Sequence, residues 1–193
     1  MAVTGMAFCA LSQVSYGIRA GLNVPTLTFS ANNISYTTNS STNFHVSGFV
    51  DAPIATNLSI QPGLSVQGKG GKLDDQVTDL NNVSLSLLYL ELPVNFVYYI
   101  PTGESGDFFA GAGPYAGYGL TAKGRANGES ESASFEEAGV KNFDAGLNFL
   151  LGYKLQSGLL FNAGYGLGLA NISNDSDVTI KNKVWQFGLG FQF

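Results

Sequence analysis

Between Tyr16 and Phe193 the chain alternates large apolar residues with small or polar ones, in runs that carry the two-residue period of a β-strand. The last run is the clearest. Trp185, Phe187, Leu189, Phe191 and Phe193 share one parity, and Gln186, Gly188, Gly190 and Gln192 share the other. A strand places the five large groups on one face and glycine and glutamine on the opposite face. That second face is too small and too polar to make a dry core, so the pattern predicts an apolar face toward lipid and a polar face toward the inside of a closed barrel.

The same alternation recurs along the chain and predicts about eight strands. Tyr16, Ile18, Ala20, Leu22 and Val24 oppose Gly17, Arg19, Gly21 and Asn23. Residues 28–43 read as a long polar loop. Phe44, Val46, Gly48 and Val50 oppose His45, Ser47, Phe49 and Asp51, with Phe49 out of place on the polar parity, and residues 52–57 read as a turn. Leu58, Ile60, Pro62, Leu64 and Val66 oppose Ser59, Gln61, Gly63, Ser65, Gln67 and Lys69; Pro62 removes a ladder donor and predicts a bulge or weak edge. After a polar stretch at 68–83, Leu88 to Ile100 alternates with Tyr89, Glu91, Pro93, Asn95, Val97 and Tyr99. A turn at 101–107 leads to a strand in which Phe108, Ala110, Ala112, Pro114, Ala116, Tyr118 and Leu120 oppose Phe109, Tyr115 and several glycines. A charged loop at 123–141 follows. Phe143 to Leu155 then faces Asp144, Gly146, Asn148, Leu150, Gly152 and Lys154, and a tight turn at 156–158 joins it to a strand over 159–169. A loop at 171–183 precedes the closing strand.

The connections alternate long and short, which is the signature of an up-and-down meander with long loops at one rim and short turns plus both termini at the other. Arg19, Asp51, Lys69, Glu91, Asp144 and Lys154 all fall on the parity shared with the glycines. A soluble lipocalin-like barrel has the opposite arrangement, with charge outside and apolar groups inside. The expected fold is therefore all-β: an eight-stranded antiparallel up-and-down transmembrane β-barrel. Because charges in a narrow lumen need partners, Arg19 and Lys69 are expected to pair with Glu91 and with Asp51 or Asp144, forming a polar plug rather than an ion path.

Composition narrows the possibilities. A length of 193 residues suits one domain, and a formal charge of -5 disfavours a nucleic-acid partner. A hydrophobic share of 45% with 25 glycines, 14 Phe and 9 Tyr suits strands that dilute apolar residues with small ones, not a helical membrane bundle. The single Cys9 excludes an intramolecular disulfide framework. Residues 1–12 are apolar and end in Ala10-Leu11-Ser12, a small-x-small pattern expected of a signal peptide remnant, which leaves 13–193 as the barrel domain.

Several segments resemble a known family in order and spacing: Gly17-Ile18-Arg19-Ala20-Gly21-Leu22-Asn23, Gln67-Gly68-Lys69-Gly70, Tyr89-Leu90-Glu91-Leu92-Pro93-Val94 and Gly111-Ala112-Gly113-Pro114-Tyr115. With the aromatic final strand they resemble the PorT-like outer-membrane β-barrel domain family over nearly the whole chain from Tyr16. The resemblance implies an eight-stranded barrel in the bacterial outer membrane; the family's founding type is linked to protein secretion and gliding machinery, while most members have no assigned activity. The closing strand, through Trp185, Phe187, Leu189, Phe191 and Phe193, also resembles the C-terminal signal that such barrels present to the barrel assembly machinery.

Little in the sequence points to catalysis. His45 is the only histidine, and a hydrolase would need it beside a serine and an orienting acid. The acidic pairs Asp74-Asp75 and Glu136-Glu137, and Asn174, Asp175 and Asp177, lack the ligand ladder of a calcium loop. No catalytic, cofactor or metal residue is assigned. Tyr16, Tyr98, Tyr99, Tyr153, Trp185 and Phe193 are expected at the water–lipid boundary. The expected function is a non-enzymatic structural, interaction or secretion-accessory protein, in contact with outer-membrane lipid and lipopolysaccharide and with a protein partner. Alternatives are a narrow channel or small-ligand carrier, and a membrane-embedded hydrolase.

Overall fold

Each alternating run forms a strand in the computed structural model, which describes residues 14–32, 34–72, 83–126 and 129–193. The strands are β1 (Ser15–Ala31), β2 (Ile34–Thr37), β3 (Asn43–Ala55), β4 (Leu58–Lys72), β5 (Ser84–Pro101), β6 (Gly106–Ala126), β7 (Glu129–Ala133), β8 (Phe143–Leu155), β9 (Leu159–Gly168) and β10 (Thr179–Gln192). Eight of them pair in the order β10-β9-β8-β6-β5-β4-β3-β1, and β1 pairs again with β10 to close the ring. The seam runs antiparallel without a slip from Gly17 opposite Gln192 to Ser30 opposite Thr179. Closure leaves no free edge in the ring, so its backbone donors and acceptors are satisfied without water, as a hydrocarbon environment requires.

The parity decides the environment. Phe149, Phe161 and Phe187 are 45%, 46% and 52% exposed on the outer wall, whereas Glu91 is 1% exposed inside it. Apolar side chains therefore face outward around a sealed cylinder whose charges face inward.

The ladders extend further than the sequence pattern predicts, because paired backbone tolerates polar residues once it stands in water above the bilayer. The loop expected at 28–43 is largely a hairpin, with β1 continuing to Ala31 and β2 folding back on it. The expected loop at 123–141 begins as another, β6 pairing with β7. β4 runs on through Lys72, so the stretch 68–72 is strand; Asp74-Asp75 and residues 1–12 lie outside the described residues. The turn expected at 52–57 shrinks to Thr56 and Asn57, with Asn57 at a φ of 60°. Pro62 keeps its register opposite Val94, and the irregularity lies instead at Pro53/Ala55. The missing donor at Pro62 is absorbed as a gap in the ladder to β3 rather than a slip.

A second bulge has larger consequences. Leu88 pairs with Thr121 and Tyr89 with Gly119, so Leu120 is an extra residue in β6. Above it the parity of β6 reverses: Ala122 is fully buried inside, and Lys123 and Arg125 turn outward and are exposed.

Candidate functional site

The lumen is filled in layers, and each is built by the inward parity of several strands. Near the rim that carries the short turns, Asp51 of β3 accepts hydrogen bonds through one carboxylate oxygen from Tyr99, from Gln61 at 3.1 Å and from Gln192 at 3.1 Å. Gln192 also donates to Ser15 at 2.6 Å, tying the closing strand to β1. Arg19 donates to Gln61 at 2.9 Å. Arg19 therefore reaches Asp51 through the amide of Gln61, and among the described residues it forms no direct ion pair with Asp51, Glu91 or Asp144. This corrects the expected pairing. The reason is Phe49: its ring lies 4.0 Å beneath the guanidinium, so the cation is held by a π face on one side and an amide on the other.

Phe49 is thus on the inward parity for a purpose. A Cβ at Gly17, the residue paired with it on β1, would collide with the ring, and the same relation holds between Gly152 and Phe109 and between Gly119 and Phe135. Inward glycines make room for inward rings. Phe49, Val97, Phe109, Leu150 and Leu160 together form a buried apolar layer across the lumen. The interior is consequently less polar than the C-terminal strand alone predicts. Tyr99 belongs inside with this layer, 6.1 Å from Phe109, and not at the lipid boundary where its neighbour Tyr98 is exposed.

Above this layer lies a small polar chamber of about 50 Å³, bordered by Asn95, Asn148, Asn162, Gln186 and His45. His45 Nδ1 lies 2.7 Å from the Asn23 side-chain oxygen, and among the described residues no hydrogen bond joins the ring to a serine or an acid as a triad requires.

The next layer is a charge cluster. Lys69 of β4 meets Glu91 of β5 at 2.5 Å and Asp144 of β8 at 2.8 Å, all three almost completely buried. Tyr115 accepts from Lys69 at 3.1 Å, and Asn182 donates to Asp144 at 2.9 Å. One cation faces two carboxylates, leaving an excess negative charge, and the second oxygen of Asp144 has no donor among the described residues. Lys154, the remaining expected member, lies at the short-turn rim, 3.6 Å from Asp107 and over the ring of Tyr99, whose hydroxyl donates to Asp51. The charges thus split between two levels, Lys154 joining that of Asp51 through Tyr99, because the strands place them at different heights. Replacing Glu91 with glutamine leaves one cation with one carboxylate, so the expected loss of stability is small, about 1 kcal/mol. Urea titration of the folded barrel measures it; a loss of several kcal/mol would show that both carboxylates are required.

Over the charge cluster sits a second apolar layer: Leu27, Leu87, Tyr89, Ala122, Phe135, Val140, Ile172 and Ile180. Phe135, Val140 and Ile172 come from loops, which sequence periodicity gave no means of placing. Phe135 meets Tyr89 edge to face at 5.3 Å. The two loops are zipped to each other by a bridge between Val140 and Ser173 and by the Lys141 amide donating to the Ile172 carbonyl at 2.7 Å. Glu137 accepts from the Ser134 amide at 2.7 Å and hydroxyl at 2.9 Å, bonds that hold its carboxyl below the usual carboxylate range. Asn171 accepts from the amides of Ser173 and Ile180 and shapes the other loop. Beside this stopper, at the long-loop rim, is a cavity of about 560 Å³ bordered by Phe29, Leu85, Glu129 and Glu131.

The sequence profile of a family described as outer membrane protein beta-barrel domain matches residues 10–174. The chain belongs to that family. Its location is the bacterial outer membrane, and the lipid-facing aromatic wall and sealed ring are the physical form that location demands. The fold is similar to that of the outer membrane protein OprG from Pseudomonas aeruginosa, at 14% identity and a TM-score of 0.51 over 93% of this chain and 95% of that one. It is also similar to Neisserial surface protein A, at 13% identity and 0.51 over 94% and 100%. The attachment invasion locus protein of Yersinia pestis aligns at 15% identity and 0.47 over 93% and 98%. At these identities the likeness is one of fold. No curated protein matches the sequence.

Proposed function

We propose that this barrel is a non-enzymatic, closed scaffold that acts through its exterior loops as a structural, interaction or secretion-accessory protein. One observation carries the reading: the lumen is crossed by two apolar layers with a salt-bridged cluster between them, so a hydrated ion meets a dry barrier twice. An eight-stranded ring has room for its own side chains and little else. The resemblance of the segments around Arg19, Lys69, Glu91 and Tyr115 to the PorT-like barrels supports the accessory role. A protein partner would meet the loops at the long-loop rim, and the barrel assembly machinery would read the closing aromatic strand. Planar-bilayer recording of the pure protein is expected to show no discrete conductance steps; reproducible steps would overturn the closed reading.

A second reading, a small-ligand carrier, is favoured by the mouth cavity of about 560 Å³. Its apolar floor of Leu27, Phe29 and Leu85 beneath Glu129, Glu131 and Arg125 suits a compact apolar molecule bearing a polar group. Saturable binding of such a fluorophore, lost in Leu85→Asp, would establish it.

A further inference from the structure

The chain contains 9 Lys+Arg. Arg19, Lys69 and Lys154 face the lumen. The other six, Lys72, Lys123, Arg125, Lys141, Lys181 and Lys183, all lie at the long-loop end, which in bacterial barrels is the cell exterior. Five of these stand on the outward parity of strands. Lys181 and Lys183 alternate with the buried Ile180, Asn182 and Val184, and Lys183 is two residues above the lipid-facing Trp185, about 7 Å along the strand. Lys72 and Arg125 are both paired with Ser84, and Lys123 is paired with Ser86. Three cations therefore surround two hydroxyls, with Lys72 and Arg125 about 10 Å apart across two strand spacings. Ser130 of β7 orients the guanidinium, accepting from Arg125 at 3.0 Å.

Two features set this collar apart from ordinary surface charge. First, the strand carboxylates point elsewhere: Asp51, Glu91, Asp107 and Asp144 lie on inward positions, and Glu129 and Glu131, paired with Ala126 and Gly124, lie on the face opposite to Arg125, along the mouth cavity whose edge Ser84 and Arg125 also reach. Among the described residues no strand carboxylate faces outward, although the whole chain carries a formal charge of -5. A collar serving only solubility would mix both signs. Second, the bulge at Leu120 exists at the cost of ladder regularity, and it is what turns Lys123 and Arg125 outward; an unbroken β6 would aim both into the mouth.

We infer that this collar binds the phosphate groups of the phosphorylated glycolipid in the outer leaflet. The height matches, since the cations begin where the aromatic wall ends, at the level of lipid headgroups. The chemistry matches as well: Arg125 offers a planar fork of N–H donors, the lysines offer point charges, and Ser84 and Thr26 offer hydroxyl donors between them. The inference goes beyond the closed-scaffold reading and does not depend on it, because the collar is on the outer wall whether or not the lumen conducts.

The test is native mass spectrometry of the folded full chain in neutral detergent, titrated with diphosphoryl lipid A, with dephosphorylated lipid A and with inorganic phosphate. Saturable binding of the diphosphoryl lipid alone is expected, weakening as salt rises. The triple substitution Lys72→Gln, Lys123→Gln, Arg125→Gln should lower that affinity by at least about tenfold, since each cation near an anionic lipid surface contributes roughly a fivefold gain. The charge-keeping triple Lys72→Arg, Lys123→Arg, Arg125→Lys should retain binding, and Lys154→Gln at the opposite rim should leave it unchanged. Equal binding of the dephosphorylated lipid, wild-type affinity in the neutral triple variant, or equally strong binding of inorganic phosphate would each overturn the assignment. Should the neutral triple variant not fold, the comparison of the phosphorylated and dephosphorylated lipids on the wild-type protein decides the matter.

Discussion

Replacing Lys69 with methionine is expected to cost the barrel about 3–5 kcal/mol, the usual penalty for stranding a buried charge by removing its partner. Glu91 and Asp144 converge on Lys69 Nζ at 2.5 and 2.8 Å in a layer with almost no access to water. Methionine fills the volume of the lysine stem but leaves two carboxylates facing each other with, among the described residues, only Tyr115 and Asn182 as donors. The loss should appear as a lower urea midpoint and as loss of the compact, heat-modifiable band at a lower temperature. Restoring neutrality in the triple variant Lys69→Met, Glu91→Gln, Asp144→Asn should recover most of it, because amides hydrogen-bond one another without a desolvated charge. A single Lys69→Met variant as stable as the wild type would show that the cluster contributes nothing to holding the strands together.

The second large effect is expected at Phe135. Its ring is 3% exposed, packs against Tyr89, and occupies the space over Gly119 that any side chain there would invade. Phe135→Ala removes the anchor of the loop between β7 and β8, a loss of about 3–5 kcal/mol for a buried aromatic ring. The energy belongs to the loop and not to the ring of strands, whose ladders pass below it. Trypsin should therefore cut at Lys141 much faster in the variant, while the transmembrane strands remain protected and heat-modifiable. Bilayer recordings of the same variant should stay silent, since the charge cluster and the Phe49 layer still block the lumen. Unchanged cleavage at Lys141 would mean that the bridge from Val140 to Ser173 is enough to seat the loop without the ring.

The outer wall was legible in the sequence because strand parity is a local rule: once Trp185, Phe187 and Leu189 face one way, Gln186 and Gly188 must face the other. The inward placement of Arg19, Asp51, Lys69, Glu91, Asp144 and Lys154 follows from the same rule. Their partners did not. Parity gives a direction, while pairing depends on height, which is set by the stagger between neighbouring strands. That stagger puts Lys69 level with Asp144, 75 positions along the chain, and leaves Arg19 level with Gln61. Phe49 looked out of place on a polar face because nothing local signals that Gly17, on another strand, leaves space for its ring. The reversal of β6 above Leu120 was equally hidden, since a bulge is defined by the partner strand's register.

By itself, then, the sequence determined that strands form, how many cross the membrane, which face of each meets lipid and which charges are shut inside, because all of these follow from alternation along a single strand. Only the tertiary structure decided which charges meet, that two apolar layers close the lumen, that Phe135 and Ile172 come back from the loops to stopper it, and that the exterior cations form an outward collar. Each of these depends on the shear between strands or on one extra residue in a ladder, and such offsets arise from the closing of the ring as a whole.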